Sequence, residues 1–129
     1  DELFIKMQGH EIYKYAVRKV PEVVKQSLDK AGLTLSDVTK VFIHQANQKM
    51  DEAILARLFK IYNLKNIPEH IMPMTIDWLG NSSVATLPTT LDLVQRGKLN
   101  NHQLHPGDII LFASVGAGMN INSMVYKMP

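Results

Sequence analysis

The 129-residue chain contains no cysteine. This excludes disulfide bonds, thiolate metal sites and a cysteine nucleophile supplied by these residues. The chain also has no stripe of Lys and Arg interleaved with aromatic residues, so we expect no nucleic-acid partner despite the net charge of +2. No apolar run approaches the roughly 18 residues that read as a membrane span, so we expect no membrane partner.

The composition of the chain is that of an ordered globular protein. It is 46% hydrophobic and 20% charged, which favours one compact domain over residues 1–129. The chain begins Asp1-Glu2-Leu3-Phe4, without an initiator methionine or a basic signal region. We therefore expect it to be a piece of a longer protein.

Hydrophobic periodicity along the chain predicts an α/β fold. The elements follow the order strand, helix, strand, helix, strand, helix, strand, strand, at residues 2–7, 10–31, 39–43, 47–62, 74–76, 82–97, 109–114 and 119–126. We expect one mixed five-stranded sheet with the helices packed on it. Pro21 inside the first helical pattern predicts a kink there or two abutting helices, because proline removes a backbone donor and clashes with the preceding turn.

Two polar corners stand where predicted strands give way to predicted helices. The first is His44-Gln45-Ala46-Asn47, directly after an apolar strand, and the second is Gly80-Asn81-Ser82-Ser83. Such corners are where α/β proteins place their chemistry, so the pair predicts one site that holds His44 and Asn81. Each asparagine has a structural alternative, since Asn47 is a natural helix N-cap and Asn81 fits a turn or an N-cap.

A third small-residue segment, Gly116-Ala117-Gly118, is not a phosphate-binding loop, because a strand follows it and no Lys-Ser/Thr pair is present. Two interpretations stay open: a tight hairpin, or small residues that let the backbone approach a ligand. The histidines other than His44 lack metal-ligand spacing with carboxylates, so we expect no metal site. They are His10, His70, His102 and His105.

The three corners in this order, preceded by Met7-Gln8-Gly9, resemble the C-terminal half of the β-ketoacyl-acyl carrier protein synthase III family of the thiolase-like superfamily. The resemblance covers nearly the whole chain. It implies a thiolase-like half whose partner, an N-terminal half with the catalytic cysteine, lies outside residues 1–129. It also implies a cytoplasmic homodimeric acyltransferase of fatty-acid synthesis that uses acyl-CoA and acyl carrier protein as substrates and needs no cofactor.

In this family a primer acyl-CoA acylates the cysteine, malonyl-carrier protein loses carbon dioxide, and the resulting enolate attacks the acyl-cysteine in a decarboxylative Claisen condensation. The resemblance implies a role for each matching residue. His44 and Asn81 are the catalytic donors to the enolate oxygen. The oxyanion and acyl pocket is formed by Gly116, Ala117 and Gly118; CoA and its pantetheine arm contact Gly9, Ala46 and Asn47; and the carrier protein docks on Lys14, Lys49 and Arg57.

The chain departs from the family pattern at several positions. After Gly118 the family often has an aromatic residue and a Thr-Trp-Gly segment, where this chain has Met119 to Asn122. An aromatic residue is also common at the position of Val115. The connection between the His44 and Asn81 corners is longer than in the family. These differences leave the choice of primer open. Because the chain lacks the cysteine, we expect it to be inactive alone. The alternatives are a noncatalytic thiolase-like domain that binds CoA or a carrier protein, and an α/β domain whose motifs only pack against its other half.

Overall fold

The computed structural model describes residues 8–45, 47–116 and 118–129, without the side chain of Val84. The helices are α1 (Gly9–Lys30), α2 (Gln48–Ile61), α3 (Ile76–Leu79) and α4 (Thr86–Gln95), and the strands are β1 (Val38–Ile43), β2 (Ile109–Gly116) and β3 (Asn120–Lys127). Short 3₁₀ turns lie at Leu35–Asp37 and Ser83–Ala85. Helices accompany a mixed sheet, which confirms the predicted α/β class.

The described strands form one mixed sheet of three strands in the order β1-β2-β3. Strand β1 runs parallel to β2, with Ile43 opposite Ala113, and β2 runs antiparallel to β3, with Gly116 opposite Asn120. The prediction of five strands is therefore wrong for the described residues. One of the two other predicted strands, at residues 2–7, lies outside them.

The other predicted strand, at residues 74–76, is replaced by the start of α3. The chain shortly before these residues does lie beside β1, because the Val41 N–H donates to the Ile71 carbonyl at 2.9 Å. However, the backbone N–H of Thr75 donates to the side-chain Oε1 of Gln45 at 2.7 Å. A donor held by a side chain is not available to a sheet ladder, and the chain turns into the helix at Ile76.

The hydrophobic core lies on both faces of the sheet, as the three-layer arrangement of an α/β domain requires. On one face α1 and α2 pack against β1 and β2 through a cluster that includes Val20, Leu28, Val41, Ile54 and Leu111. On the other face α4 packs through Val94 against Phe42 and Phe112, whose rings stack with centroids 5.3 Å apart. The sheet is thus fixed from both sides.

Helix α1 is a single helix of 22 residues with Pro21 buried inside it. Of the two alternatives, two abutting helices is therefore wrong, and a kink at Pro21 stays a prediction. The helix ends at Lys30, and Gly32, two residues later, has a φ of 69° that lets the Leu33 N–H donate back to the Leu28 carbonyl at 2.9 Å. None of the helices in the described ranges combines the length and the apolar character needed to cross a bilayer.

Candidate functional site

The parallel pair β1 and β2 brings two of the predicted motifs to one edge of the sheet. The backbone N–H of His44 donates to the Ala113 carbonyl at 3.0 Å, which extends the strand pairing by one residue. Strand β2 then continues to Gly116. Because parallel strands point their carboxyl ends to the same edge, His44 and Gly116 leave the sheet on the same side.

The His44 side chain is half-buried. Burial lowers the pKa of its imidazole, because a charged ring loses water there. The ring is therefore neutral at pH 7, with one N–H donor and one acceptor nitrogen. No residue in the described ranges forms a hydrogen bond with the ring, so the donor is not engaged within this part of the chain.

The second corner is a turn built around Asn81. Gly80, with φ 69° and ψ −163°, occupies a backbone region that is essentially restricted to glycine. The Asn81 Oδ1 then accepts a hydrogen bond from the Ser83 backbone N–H at 2.8 Å. This Asx turn occupies the amide oxygen. The Nδ2 group of the exposed side chain remains as its hydrogen-bond donor.

Gln45 connects the two corners through its buried side chain, which is only 1% exposed. Its Nε2 donates to the Pro73 carbonyl at 2.7 Å, and its Oε1 accepts from the Thr75 backbone N–H at 2.7 Å and from the Thr75 hydroxyl at 3.0 Å. Thr75 precedes α3, and α3 leads to Asn81. No role for Gln45 is predicted from the sequence, where its one signal is its place between His44 and Asn47.

Gly116, the last residue of β2, pairs with Asn120 of β3, so Gly116 and Gly118 lie at the end of a hairpin, as the first of the two interpretations predicted. Gly118, at φ 76°, and Met119, at φ 57°, adopt the left-handed backbone conformation that such a tight turn needs. Ala117, the predicted oxyanion-hole donor, lies outside the described residues, so the acyl-pocket role stays a prediction.

The residues predicted to bind CoA are separated by the structure into two places. Asn47 is the N-cap of α2, because its Oδ1 accepts from the Met50 N–H at 3.3 Å, and its neighbour Ala46 lies outside the described ranges. Gly9 is the first residue of α1. An open groove of about 470 Å³ runs along this end of α1 to the hairpin turn, lined by Gln8, Glu11, Ile12, Lys14, Tyr15, Arg18 and Met119.

The three predicted docking residues are all exposed. Lys14 lies in the α1 groove and pairs with the Glu11 carboxylate at 3.6 Å. Lys49 and Arg57 lie on α2, and neither forms an ion pair with another residue that the structure describes. Their charges are therefore not compensated within this part of the chain.

Known proteins match this chain in both sequence and fold. The chain is 36% identical over 124 residues to β-ketoacyl-[acyl-carrier-protein] synthase III of Microcystis aeruginosa, covering 95% of this chain and 34% of that protein. The corresponding enzyme of Synechocystis sp. is 40% identical over 116 residues, covering 89% and 32%. The crystal structure of the Thermus thermophilus enzyme superposes with a TM-score of 0.80 at 30% identity, covering 96% of this chain and 35% of that one.

The α/β layers and the shared strand edge define a domain of the thiolase-like class, as the structural match shows. Residues 28–128 match the family described as 3-oxoacyl-[acyl-carrier-protein (ACP)] synthase III C terminal. The chain belongs to that family. It spans about a third of the length of the curated relatives that it matches.

Proposed function

We propose that the chain works as the C-terminal half of a condensing enzyme that joins a primer acyl group to malonyl-carrier protein. The observation that supports it most is the strand edge, where His44 is neutral and the buried Gln45 beside it binds Pro73 and Thr75, at the start of the segment that leads to the Asn81 amide. The names of the sequence relatives, β-ketoacyl-[acyl-carrier-protein] synthase III, support the same reaction.

The chemistry of decarboxylation calls for neutral donors. When the malonyl thioester loses carbon dioxide, the electron pair of the broken carbon–carbon bond moves into an enolate, and negative charge develops on the thioester oxygen. Donation from the His44 ring N–H and the Asn81 Nδ2 stabilises that charge more in the transition state than in the ground state. The enolate carbon then attacks the acyl-cysteine carbonyl, and the cysteine leaves as a thiolate.

The nucleophile in this proposal comes from an N-terminal half, because residues 1–129 contain no cysteine. The chain alone is therefore inactive, and the active protein is a cytoplasmic homodimer of complete subunits. Carrier proteins are strongly acidic, so the uncompensated charges of Lys49 and Arg57 attract them and raise the association rate without taking part in the chemistry.

The roles of His44 and Asn81 are tested in the full-length protein that carries this chain, by two separate assays. We expect His44→Ala and Asn81→Ala each to slow malonyl decarboxylation by about 10²–10³-fold, the usual effect of deleting one such donor. Acylation of the cysteine by acyl-CoA should continue, because it does not pass through the enolate. Matched controls are His105→Ala and Asn66→Ala, at two exposed positions.

Two results would contradict the proposal. If either variant loses acylation and decarboxylation together, the residue does not act specifically on the enolate. If the full-length protein has no cysteine at a strand-to-helix corner of its other half, the domain only binds CoA or a carrier protein.

A further inference from the structure

We propose that Gln45 is a positioning residue that holds the His44 and Asn81 donors in a fixed relation. The proposal rests on the proposed function for its chemical consequence, whereas the structural link that it describes is independent of catalysis. Gln45 directly follows His44, and its amide binds the residues that start the α3 segment. One side chain thus joins the first corner to the segment that leads into the second, whose Asn81 follows His44 by 37 residues in the sequence.

The Gln45 amide uses both of its ends in this link. The donor end binds the Pro73 carbonyl, and the acceptor end receives both the backbone N–H and the hydroxyl of Thr75. Gln45 and Thr75 are each only 1% exposed. In such a buried place a polar group without a partner is costly, so the three hydrogen bonds select one arrangement of the segment.

Two helical hydrogen bonds and the backbone lead from Thr75 to Asn81. The Thr75 carbonyl accepts from the Leu79 N–H at 2.8 Å, and the Ile76 carbonyl accepts from the Gly80 N–H at 3.0 Å. Asn81 is the next residue, and its own side chain closes the Asx turn onto Ser83. A displacement of Thr75 is therefore passed along the backbone to the Asn81 amide.

Helix α3 has little else to hold it within the described part of the chain. None of its four residues is buried, and Trp78 and Leu79 are 56% and 41% exposed. A helix of this length does not stay formed by its own hydrogen bonds. The contacts of Gln45 with Pro73 and Thr75 therefore determine where α3, and with it Asn81, is placed.

The experiment follows the position of α3 and the chemistry in the same full-length protein. Trp78 lies in α3, so 5-fluorotryptophan labelling gives a ¹⁹F resonance that Trp78→Phe assigns. We expect Gln45→Met, which keeps the side-chain length but removes all three hydrogen bonds, to shift or broaden this resonance. Decarboxylation should fall by about 10²-fold, as expected for a misplacement of about 1 Å, while cysteine acylation stays unchanged.

Two further variants repeat the test and control for it. Gln45→Glu retains an acceptor for Thr75 but sets an acceptor-only carboxylate oxygen against the Pro73 carbonyl, so it should show the same changes, and it tests the link separately from Gln45→Met. Gln48→Met is the matched control. Gln48 is exposed, and among the described residues its side chain bonds only to Glu52 on its own helix, so neither the resonance nor the two activities should change.

Several outcomes would overturn the proposal. An unchanged Trp78 resonance in both Gln45 variants would show that Gln45 does not hold α3. A displaced resonance with normal decarboxylation, in a protein where His44→Ala and Asn81→Ala do slow decarboxylation, would show that the link has no bearing on the donors. If His44→Ala and Asn81→Ala instead retain decarboxylation, the proposed function fails, and the ¹⁹F resonance alone then decides whether the structural link exists.

Discussion

The two ends of strand β1 fasten the same neighbouring segment, residues 70–75, by different chemistry. Near its start, the buried Lys40 ammonium donates to the His70 carbonyl and contacts the His102 Nδ1 at 3.0 Å. Just past its carboxyl end, Gln45 binds Pro73 and Thr75 through a neutral amide. The end that lies away from the candidate site is held by an ionisable group, and the end at the site by a group that does not titrate.

The Lys40 end is sensitive to protons. Burial lowers the pKa of Lys40, against the opposing charge of Asp108. Burial first, and then the charge of Lys40, lowers the pKa of His102 to about 4. His102 is therefore neutral at pH 7, and its Nδ1 can accept a hydrogen bond from Lys40. This end weakens in acid, whereas the Gln45 contacts keep the same strength at every physiological pH.

The site end has its own buried ionisable residue, Asp51, in the first turn of α2. Unlike Lys40, Asp51 is 0% exposed and neither of its carboxyl oxygens has a hydrogen-bond partner among the residues that the structure describes. Burial, with a smaller contribution from the charge of Glu52, raises the pKa of Asp51 to about 8. The two ends thus differ in whether a buried ionisable group has partners.

The largest effect is expected from Asp51→Asn, which removes the titrating group from the site end. The folded pKa of about 8 lies above the unfolded value of 3.8, so the wild-type free energy of unfolding falls as pH rises between them. The variant should match the wild type near pH 4 and then gain on it by about 1.4 kcal/mol for each pH unit up to about pH 8. Urea denaturation across this range measures the difference.

Glu52→Gln, at the exposed neighbouring position, is the control for Asp51→Asn and should change stability by less than about 0.5 kcal/mol. An Asp51→Asn effect of equal size at every pH would show that Asp51 is not held protonated by the fold.

A smaller effect is expected from His102→Gln at the Lys40 end. The folded pKa of His102, about 4, lies below the unfolded value of 6.5, so its contribution to wild-type stability is lost as pH falls through this window. Glutamine keeps an acceptor for Lys40 but does not titrate. As the pH is lowered from 6.5 to 4, the free energy of unfolding of the variant should therefore gain relative to that of the wild type. His10→Gln, at an exposed position, should show no such gain.

The smallest effect is expected from Lys40→Met, measured as a shift of one pKa. Removing the positive charge should raise the pKa of His102 above its value of about 4, though not to the unfolded value, because burial is the larger cause. A pH titration of the imidazole resonances by NMR gives the value. Gln45→Met, at the other end of β1, should leave the pKa of His102 unchanged; an equal shift in both variants would mean that the two ends are not separate.

Local sequence patterns were sufficient for most of the elements and for the strand edge. The apolar runs before His44 and Gly116 predicted strands, and parallel pairing then brought both residues to one edge. The pattern failed at residues 74–76, because Gln45, 30 residues away, takes the Thr75 donor. No local period reports such a contact between a buried amide and a distant backbone group. For the same reason, the sequence did not predict that Asp51 is buried without a hydrogen-bond partner among the described residues.

Because residues 70–75 are fastened along β1, the geometry of the strand edge does not depend on the length of the loop that precedes them. Residues 63–69 are exposed apart from Leu64, and the chain is anchored again at the His70 and Ile71 carbonyls. Lengthening an exposed loop changes its closure entropy only slowly. Insertions can therefore accumulate in residues 63–69 during evolution while the anchored segment keeps its position, so this loop can diverge in length more freely than the corners on either side of it.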